Sequence, residues 1–261
     1  MLQVKGFITL LRLRHTGQIV GIVTILSLKS IGFTIETMFA ITAFLLLAAA
    51  IFFFDDARDE ASDRIVHTHR PIPQGVFTTR QVYLMGTIAL FLSIGCASLL
   101  QIHQIILFLI VAGVGLIVIF VKLESIIRAI LSASMIFLLF PFSAPISSTT
   151  LLFGLSVALP HIAGSITKDF LHILGDRQIG LQSPVAWAPY AASTLFILTA
   201  VVIVLPALFK LVSEFYVLLI SPTIMSSLIL AYKVFKKQYQ KVYIYGGIAM
   251  VSTLLAIAVY I

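Results

Sequence analysis

Long uncharged stretches separated by short polar segments dominate this sequence. Residues 37–54, 81–121 and 129–167 contain no Lys, Arg, Asp or Glu. A membrane-spanning helix needs about 20 mostly apolar residues, so each of the two longer stretches holds more than one span. Polar residues at 101–104 and the prolines and hydroxyls of 141–150 divide them. The pattern predicts an all-α chain with nine transmembrane helices, at 16–34, 37–54, 80–100, 104–121, 127–143, 149–168, 187–209, 211–232 and 242–261.

Composition places the whole chain, residues 1–261, in a single integral-membrane domain. Of its residues 60% are hydrophobic and 10% are charged, whereas a soluble domain carries roughly 25% charged residues. The formal net charge of +7 therefore indicates basic loops that face an anionic membrane leaflet, and no nucleic-acid partner is expected. The single cysteine, Cys96, excludes a disulfide within the chain.

The charged residues fall mainly on one side of the predicted spans. With nine spans, every Lys and Arg except Lys29 and Lys210 lies on the side of the N-terminus. Because cytoplasmic loops carry an excess of Lys and Arg, this side is predicted to be cytoplasmic.

The first span contains two small residues spaced four positions apart, Gly17 and Gly21, and this spacing predicts close helix packing there.

The densest acidic segment follows the second predicted span. Within nine positions it holds five of the ten acidic residues, namely Asp55, Asp56, Asp59, Glu60 and Asp63. On a helix Asp56, Asp59 and Asp63 would share one face, where their carboxylates repel each other unless a cation lies between them. Since Mg²⁺ prefers oxygen ligands, the spacing predicts a Mg²⁺ site. The alternative is a solvated, negatively charged helix end.

A second segment repeats this spacing on the same predicted side of the membrane. Asp169, His172 and Asp176 again fall at intervals of three and four residues. Two acidic helix faces in one cytoplasmic-side cavity suit a pair of Mg²⁺ ions bridged by a diphosphate, whose charge the metals would neutralise. Basic residues are candidates for holding the phosphate oxygens. They are Arg70, Lys122, Arg128, Lys168 and Arg177, and the alternative for each is a role in topology and headgroup contact.

These two segments resemble the paired motifs of the UbiA superfamily of intramembrane prenyltransferases. The first motif is similar to Asp55-Asp56-x-x-Asp59-x-x-x-Asp63 followed by Arg70-Pro71-x-Pro73-x-Gly75, and the second to Lys168-Asp169 through Gly175-Asp176, then Gly180. The resemblance implies nine helices bundled around a central cavity that opens sideways to lipid. It also implies that Mg²⁺ ionises an allylic prenyl diphosphate, whose prenyl cation is joined to a lipophilic acceptor. The implied metal ligands and catalytic residues are Asp56, Asp59, Asp63, Asp169 and Asp176.

The chain departs from the family pattern at three places. Asp55 replaces the usual Asn and keeps an oxygen for substrate binding. The first span of the family usually carries an Arg-Pro pair and an Asn, which are implied to contact the acceptor. Of these residues this chain keeps only the arginine, Arg14. His172 replaces the usual Asp. It could ligate a softer metal such as Mn²⁺, donate a hydrogen bond to the diphosphate, or leave a second metal to Asp169 and Asp176. We favour the hydrogen bond, because a diphosphate would help the imidazole to hold a proton.

The sequence is compatible with more than one class of acceptor. The Lys-Asp form of the second motif and the short chain favour the archaeal branch of the family, in which the acceptor is geranylgeranylglyceryl phosphate. An aromatic or quinone-ring acceptor and a non-catalytic protein that binds a lipid diphosphate are the alternatives within this resemblance. A cation transporter is an alternative of another class, but it predicts acidic residues deep within the spans, and the three uncharged stretches contain none.

Overall fold

The described residues of the computed structural model form α-helices joined by turns and contain no β-strand, which confirms the all-α prediction. They are residues 2–178, 187–239 and 242–260, without the side chains of Leu2, Arg14, Val66, Asp169, residues 171–178 and Tyr243. The helices are α1 (Leu2–Leu10), α2 (Leu13–Ile31), α3 (Ile35–Arg58), α4 (Glu60–Val66), α5 (Thr79–Ala97), α6 (Ile102–Phe120), α7 (Ser125–Ser143), α8 (Ser148–Gln178), α9 (Ala188–Val202), α10 (Leu205–Leu208), α11 (Phe215–Phe235) and α12 (Val242–Tyr260).

Each of the nine predicted spans coincides with one helix or, at 187–209, with the pair α9 and α10. Among the described residues, seven segments are long and apolar enough to cross a membrane: α3, α5, α6, α7, the part of α8 up to Lys168, Ala188–Leu208 and α11. The described apolar part of α12, Ile244–Tyr260, is shorter, and α2 is not among the seven. The chain is therefore an integral membrane protein, while the predicted count of nine spans is not confirmed.

The chain forms two compact units, residues 1–122 and 123–261. In the first unit α3 is the central helix and packs against α2, α5 and α6. Its last aromatic residue, Phe54, lies so close to Gly86 of α5 that an added Cβ at Gly86 would come within 2.8 Å of the ring. This contact fixes the end of α3, where the acidic segment begins.

The second unit pairs α7 with α8, α8 with α9, and α11 with both α9 and α12. Several of its buried hydroxyl groups bond within the unit. Thr223 Oγ1 donates to the carbonyl of Ala249 at 2.9 Å and lies 3.0 Å from Ser252 Oγ. These hydroxyls join α11 to α12, as expected for polar side chains between membrane helices.

Three local predictions change in the structure. The second predicted span ends at residue 54, but α3 continues to Arg58 and helical structure resumes over α4. Helix α8 likewise continues ten residues beyond the predicted span end at 168. Both ends were predicted too early because a hydropathy pattern ends at the first charged residue, whereas the helical hydrogen bonds of the backbone continue beyond it. Close packing at Gly17 and Gly21 is wrong for the described residues, because an added Cβ meets nothing within 4 Å at either position.

Candidate active site at the end of helix α3

The acidic segment lies at the junction of α3 and α4, where Asp59 separates the two helices with φ −83° and ψ 7°. The backbone hydrogen bonds continue across the junction, since the amide of Asp59 donates to the carbonyl of Asp55 and that of Asp63 to Asp59, both at 2.9 Å. The four aspartates therefore remain neighbours. Asp56 and Asp63 both contact Arg70, whereas Asp59 pairs with Arg58.

Asp56 and Asp63 are almost completely buried, with 5% and 3% of their surface exposed. Arg70 bonds to both, with Nη1 at 2.6 Å from Asp63 Oδ2 and at 3.3 Å from Asp56 Oδ1. Buried carboxylates need charge-paired partners, and here an arginine from the same motif provides one. The sequence predicted Arg70 as a contact for phosphate oxygens, whereas in this structure Arg70 binds carboxylates.

Arg12 is a second cation at this site, and the sequence analysis did not select it. Its Nη1 lies 3.0 Å from Asp55 Oδ2, and its Nη2 bonds to Asp56 Oδ1. Its guanidinium also lies over the ring of Phe52, 5.3 Å from the centroid, in cation–π geometry. Burial opposes the charge of Arg12, but Asp55 and Asp56 outweigh it and raise its pKa. The guanidinium therefore keeps its charge.

The backbone at Arg12 explains how this side chain reaches the aspartates. Arg12 separates α1 from α2 and adopts the left-handed conformation, with φ 44° and ψ 55°. Such a conformation is uncommon for a residue with a Cβ, and strained positions of this kind are frequent at functional sites. The sequence signal for Arg12 was its position as a positively charged residue just before the first apolar span. Arg14 has the same position, so this signal could not distinguish the two arginines.

We call Asp55, Asp56, Asp63, Arg12 and Arg70 the buried cluster. It contains three carboxylates and two guanidinium groups joined by ion pairs, which leaves one unit of negative charge. Burial raises the pKa of Asp63, while Arg70 opposes the rise. The positive charge that the sequence analysis assigned to a metal is thus supplied here by arginine side chains.

A second group of polar residues lies on the outside of the same junction, and we call it the surface cluster. It consists of Arg58, Asp59, Glu60, Arg64 and Thr79. Arg58 Nε donates to Asp59 Oδ1 at 2.8 Å, and Arg64 Nη2 donates to Glu60 Oε1 at 2.7 Å. The hydroxyl of Thr79 also donates to Glu60. The Thr79 hydrogen bond and then Arg64 lower the pKa of Glu60.

The donor atoms at this junction fit Mg²⁺ by type, because carboxylate oxygens are the ligands that it prefers. Among the described residues no three His, Cys, Asp or Glu side chains are arranged as a metal site. Arginine contacts account for this at Asp56 and Asp63. Asp59 has the most exposed side chain of the acidic segment, at 35%, and it forms an ion pair with the adjacent residue Arg58. Asp59 is therefore the carboxylate most accessible to an incoming cation.

The other predicted site residues belong to other segments of the chain. Lys122 is exposed just after α6 in the first unit, and in the second unit Arg128 and Lys168 are exposed on α7 and α8. The backbone of α8 runs without a break through positions 169, 172 and 176, so the helical spacing predicted there is present. The side chains of Arg14, Asp169, His172, Asp176 and Arg177 lie outside the described residues.

Comparison with known proteins agrees with this architecture. The profile of the UbiA prenyltransferase family matches residues 19–242. Among solved structures, a digeranylgeranylglyceryl phosphate synthase is 21% identical with a TM-score of 0.76, over 100% of this chain and 99% of that one. A UbiA homologue from Aeropyrum pernix K1 is 15% identical with a TM-score of 0.77, over 95% and 98%. One from Archaeoglobus fulgidus, bound to GPP and Mg²⁺, is 16% identical with a TM-score of 0.64, over 97% and 99%. At these identities the likeness establishes the fold, and no curated protein sequence matches the chain.

Proposed function

We propose that this chain, which belongs to the UbiA prenyltransferase family, transfers a prenyl group from an allylic prenyl diphosphate to a lipophilic acceptor within the membrane, with Mg²⁺ as cofactor. The observation that carries the proposal is the buried cluster at the end of an apolar helix. Charged groups at a membrane edge are costly and tend to mark a functional site. Oxygen donors next to arginines suit a diphosphate bound together with a divalent cation.

The proposed roles follow from the charges and exposure of the side chains. Asp59 offers an accessible carboxylate, and Asp56 and Asp63 would hold the metal with it once their arginines bind the phosphate oxygens. Bound Mg²⁺ neutralises the diphosphate as a leaving group. Arg12 and Arg70 hold the diphosphate oxygens by charge-assisted hydrogen bonds, which can be bidentate for arginine. Because the arginines occupy carboxylate oxygens beforehand, we expect metal and diphosphate to bind together more tightly than either binds alone.

Residues of the second motif complete this proposal. Asp169 and Asp176 are proposed metal ligands, and His172 is proposed to donate a hydrogen bond to the diphosphate. Lys122, Arg128 and Lys168 are proposed phosphate contacts, Asp55 a further substrate contact, and Arg14 an acceptor contact. Helix α8 is continuous through residues 169–176, which supports placing positions 169, 172 and 176 at the helical spacing that the motif requires.

The proposed acceptor is geranylgeranylglyceryl phosphate. The Lys168-Asp169 form of the second motif supports this choice, and so does the full-length structural likeness to a digeranylgeranylglyceryl phosphate synthase. In the reaction the bond between C1 of the prenyl chain and the diphosphate oxygen breaks, and its electron pair leaves with the diphosphate. The acceptor hydroxyl oxygen then forms an ether bond to C1 and loses its proton to solvent or a nearby base.

The activity is tested with purified protein in lipid nanodiscs, labelled geranylgeranyl diphosphate and Mg²⁺. We expect diphosphate release and a labelled ether product with geranylgeranylglyceryl phosphate, and loss of both when EDTA removes the metal. Product with 4-hydroxybenzoate instead would assign an aromatic acceptor and refute the ether-lipid proposal. Tight binding of the diphosphate without release in any arm would refute prenyl transfer.

The proposed membrane orientation places the loops at 55–79, 122–128, 168–186 and 233–241 on the cytoplasmic side. The excess of Lys and Arg in these loops supports this orientation. Single cysteines at Gln74 and Gln238 in a Cys96→Ser background test it with a membrane-impermeant thiol reagent applied to intact cells. We expect labelling only after the cells are opened, and ready labelling from outside would reverse the orientation.

A further inference from the structure

Helix α1 packs directly on the turn that carries Arg70. Gly6 of α1 is buried, and a Cβ added to it would lie 2.9 Å from Val76 Cγ1 and 3.2 Å from Phe77 Cε2. It would also lie 3.6 Å from Pro71 Cβ. Real Cβ atoms do not approach other heavy atoms to 2.9 Å, so with a larger residue at position 6 the Val76 side chain, the turn or the helix must shift.

The turn itself is too well bonded to absorb such a displacement at one residue. The amide of Val76 donates to the carbonyl of Pro71 and that of Gly75 to Ile72, both at 2.9 Å. With Gly75 at φ 71°, this is the hydrogen-bond pattern of a Schellman motif. The amide of Gln74 also donates to the carbonyl of Arg70 at 3.1 Å. A shift of Val76 therefore moves the segment that begins at Arg70.

The other end of α1 determines the position of Arg12. Leu10 is fully buried in a core with Phe53 and Ile72, and Phe7 packs on Phe53 with ring centroids 5.9 Å apart. Arg12 follows two residues after Leu10, in its left-handed conformation. The same short helix thus borders both arginines of the buried cluster.

We propose that α1 is a positioning element for the diphosphate site and that Gly6 is its positioning residue. Close contact at Gly6 holds the turn of residues 70–76 and the start of α2 in register, so that Arg12 and Arg70 converge on Asp56. This inference rests on the proposed function, because it assigns to α1 the control of affinity for the diphosphate end of the prenyl substrate. The prenyl tail and the acceptor are not involved.

The test is a rescue experiment at the Gly6 contact. Gly6→Ala should weaken binding of geranylgeranyl diphosphate with Mg²⁺ by about tenfold, since small misplacements of binding groups have effects of this size or larger. Inorganic diphosphate, which lacks the prenyl tail, should lose the same factor as a competitor. The double variant Gly6→Ala/Val76→Ala removes the Cγ1 atom that the new methyl group meets and should recover most of the affinity. Gly17→Ala, where an added Cβ meets nothing within 4 Å, is the matched control and should bind like wild type.

The outcomes separate this inference from the proposed function. If wild-type protein binds neither geranylgeranyl diphosphate nor inorganic diphosphate with Mg²⁺, the proposed function fails. If wild type binds and Gly6→Ala binds equally well, α1 has no positioning role. If Gly6→Ala loses affinity but the double variant does not recover it, the contact with Val76 is not the cause and the inference is refuted. Melting temperatures of all four proteins identify a loss that comes from unfolding, which also counts against positioning.

Discussion

The buried cluster and the surface cluster lie on one helix junction and use the same residue types, yet they differ in burial and in the distance they bridge along the chain. Arg12 bonds to Asp56 across 44 positions, whereas Arg64 bonds to Glu60 across four. Asp56 and Asp63 are almost fully buried, while the side chain of Arg64 is 59% exposed. The ion pairs of the first cluster join separate segments of the chain, whereas those of the second join residues at most four positions apart. Hydrogen bonds from Thr79 to Glu60 and from Arg58 to the carbonyl of Ile119 link the second cluster to other helices.

This difference indicates which charges hold the site together and which remain available. Exposed ion pairs contribute about 0–1 kcal/mol, so the contacts of Asp59 and Glu60 are easily exchanged for a ligand. Removing one partner of a buried pair costs about 3–5 kcal/mol, because the other charge stays buried without compensation. We therefore expect substitutions in the buried cluster to affect both folding and activity, and we expect a substitution of Asp59 to affect activity alone.

The largest effect is expected from Asp56→Ala. This change leaves Arg12 and Arg70 with fewer carboxylates in a buried position, so it should lower the free energy of unfolding by about 3–5 kcal/mol and abolish turnover. Thermal unfolding in nanodiscs and the transferase assay measure the two effects. Asp56→Asn is the conservative comparison, since it keeps the shape and removes the charge. A variant with wild-type turnover would show that Asp56 is not part of the active site.

Asp59→Asn should separate the two effects. Asp59 is half-exposed and pairs with its chain neighbour Arg58, so the melting temperature should change little. Loss of one charged group that stabilises the leaving diphosphate should lower kcat on the order of 10²-fold. Mn²⁺ binding followed by electron paramagnetic resonance gives a readout independent of turnover and should weaken in this variant. Normal metal binding and normal kcat would remove Asp59 from the proposed metal ligands.

Arg12→Lys is expected to have an intermediate effect. Lysine keeps the charge but loses the planar fork that contacts Asp55 and Asp56 together, as well as the stacking on Phe52. We expect KM for the prenyl diphosphate to rise more than kcat falls, because the altered group binds the diphosphate. Arg14→Lys is the matched comparison on the same short segment. Equal effects at both positions would contradict the special placement of Arg12.

Sequence patterns predicted the helices and the acidic motifs but not the contacts between segments. Spacing and motif resemblance were sufficient to predict Asp56, Asp63 and Arg70 as site residues. Arg12 does not, because its approach depends on a left-handed residue between α1 and α2, and neither Gly nor Pro marks that break. The break at Asp59 is equally unmarked. The ends of α3 and α8 were predicted too early, because the span limits followed hydropathy and the backbone continued as helix beyond the first charged residues.

The smallest expected effect tests the surface cluster through pH. The hydrogen bond from Thr79 and then Arg64 lower the pKa of Glu60 below its ordinary value of 4.5. A carboxyl whose pKa is lower in the folded state stabilises the fold when it is ionised. This contribution is therefore complete above about pH 4.5 and is lost as the pH falls through the lower folded-state pKa.

Thr79→Val removes the first of these two causes while keeping the shape of the side chain. The pKa of Glu60 should move back towards 4.5, so that less stability is lost on acidification. The melting temperature of the valine variant should therefore lie slightly below that of wild type at pH 6, and the difference should narrow as the pH falls below about 4.5. Thr79→Ser keeps the hydroxyl and should follow wild type throughout. Other carboxyl groups titrate alike in all three proteins and cancel in the difference, so a gap that stays constant with pH would show that the hydroxyl of Thr79 acts on packing and not on the charge of Glu60.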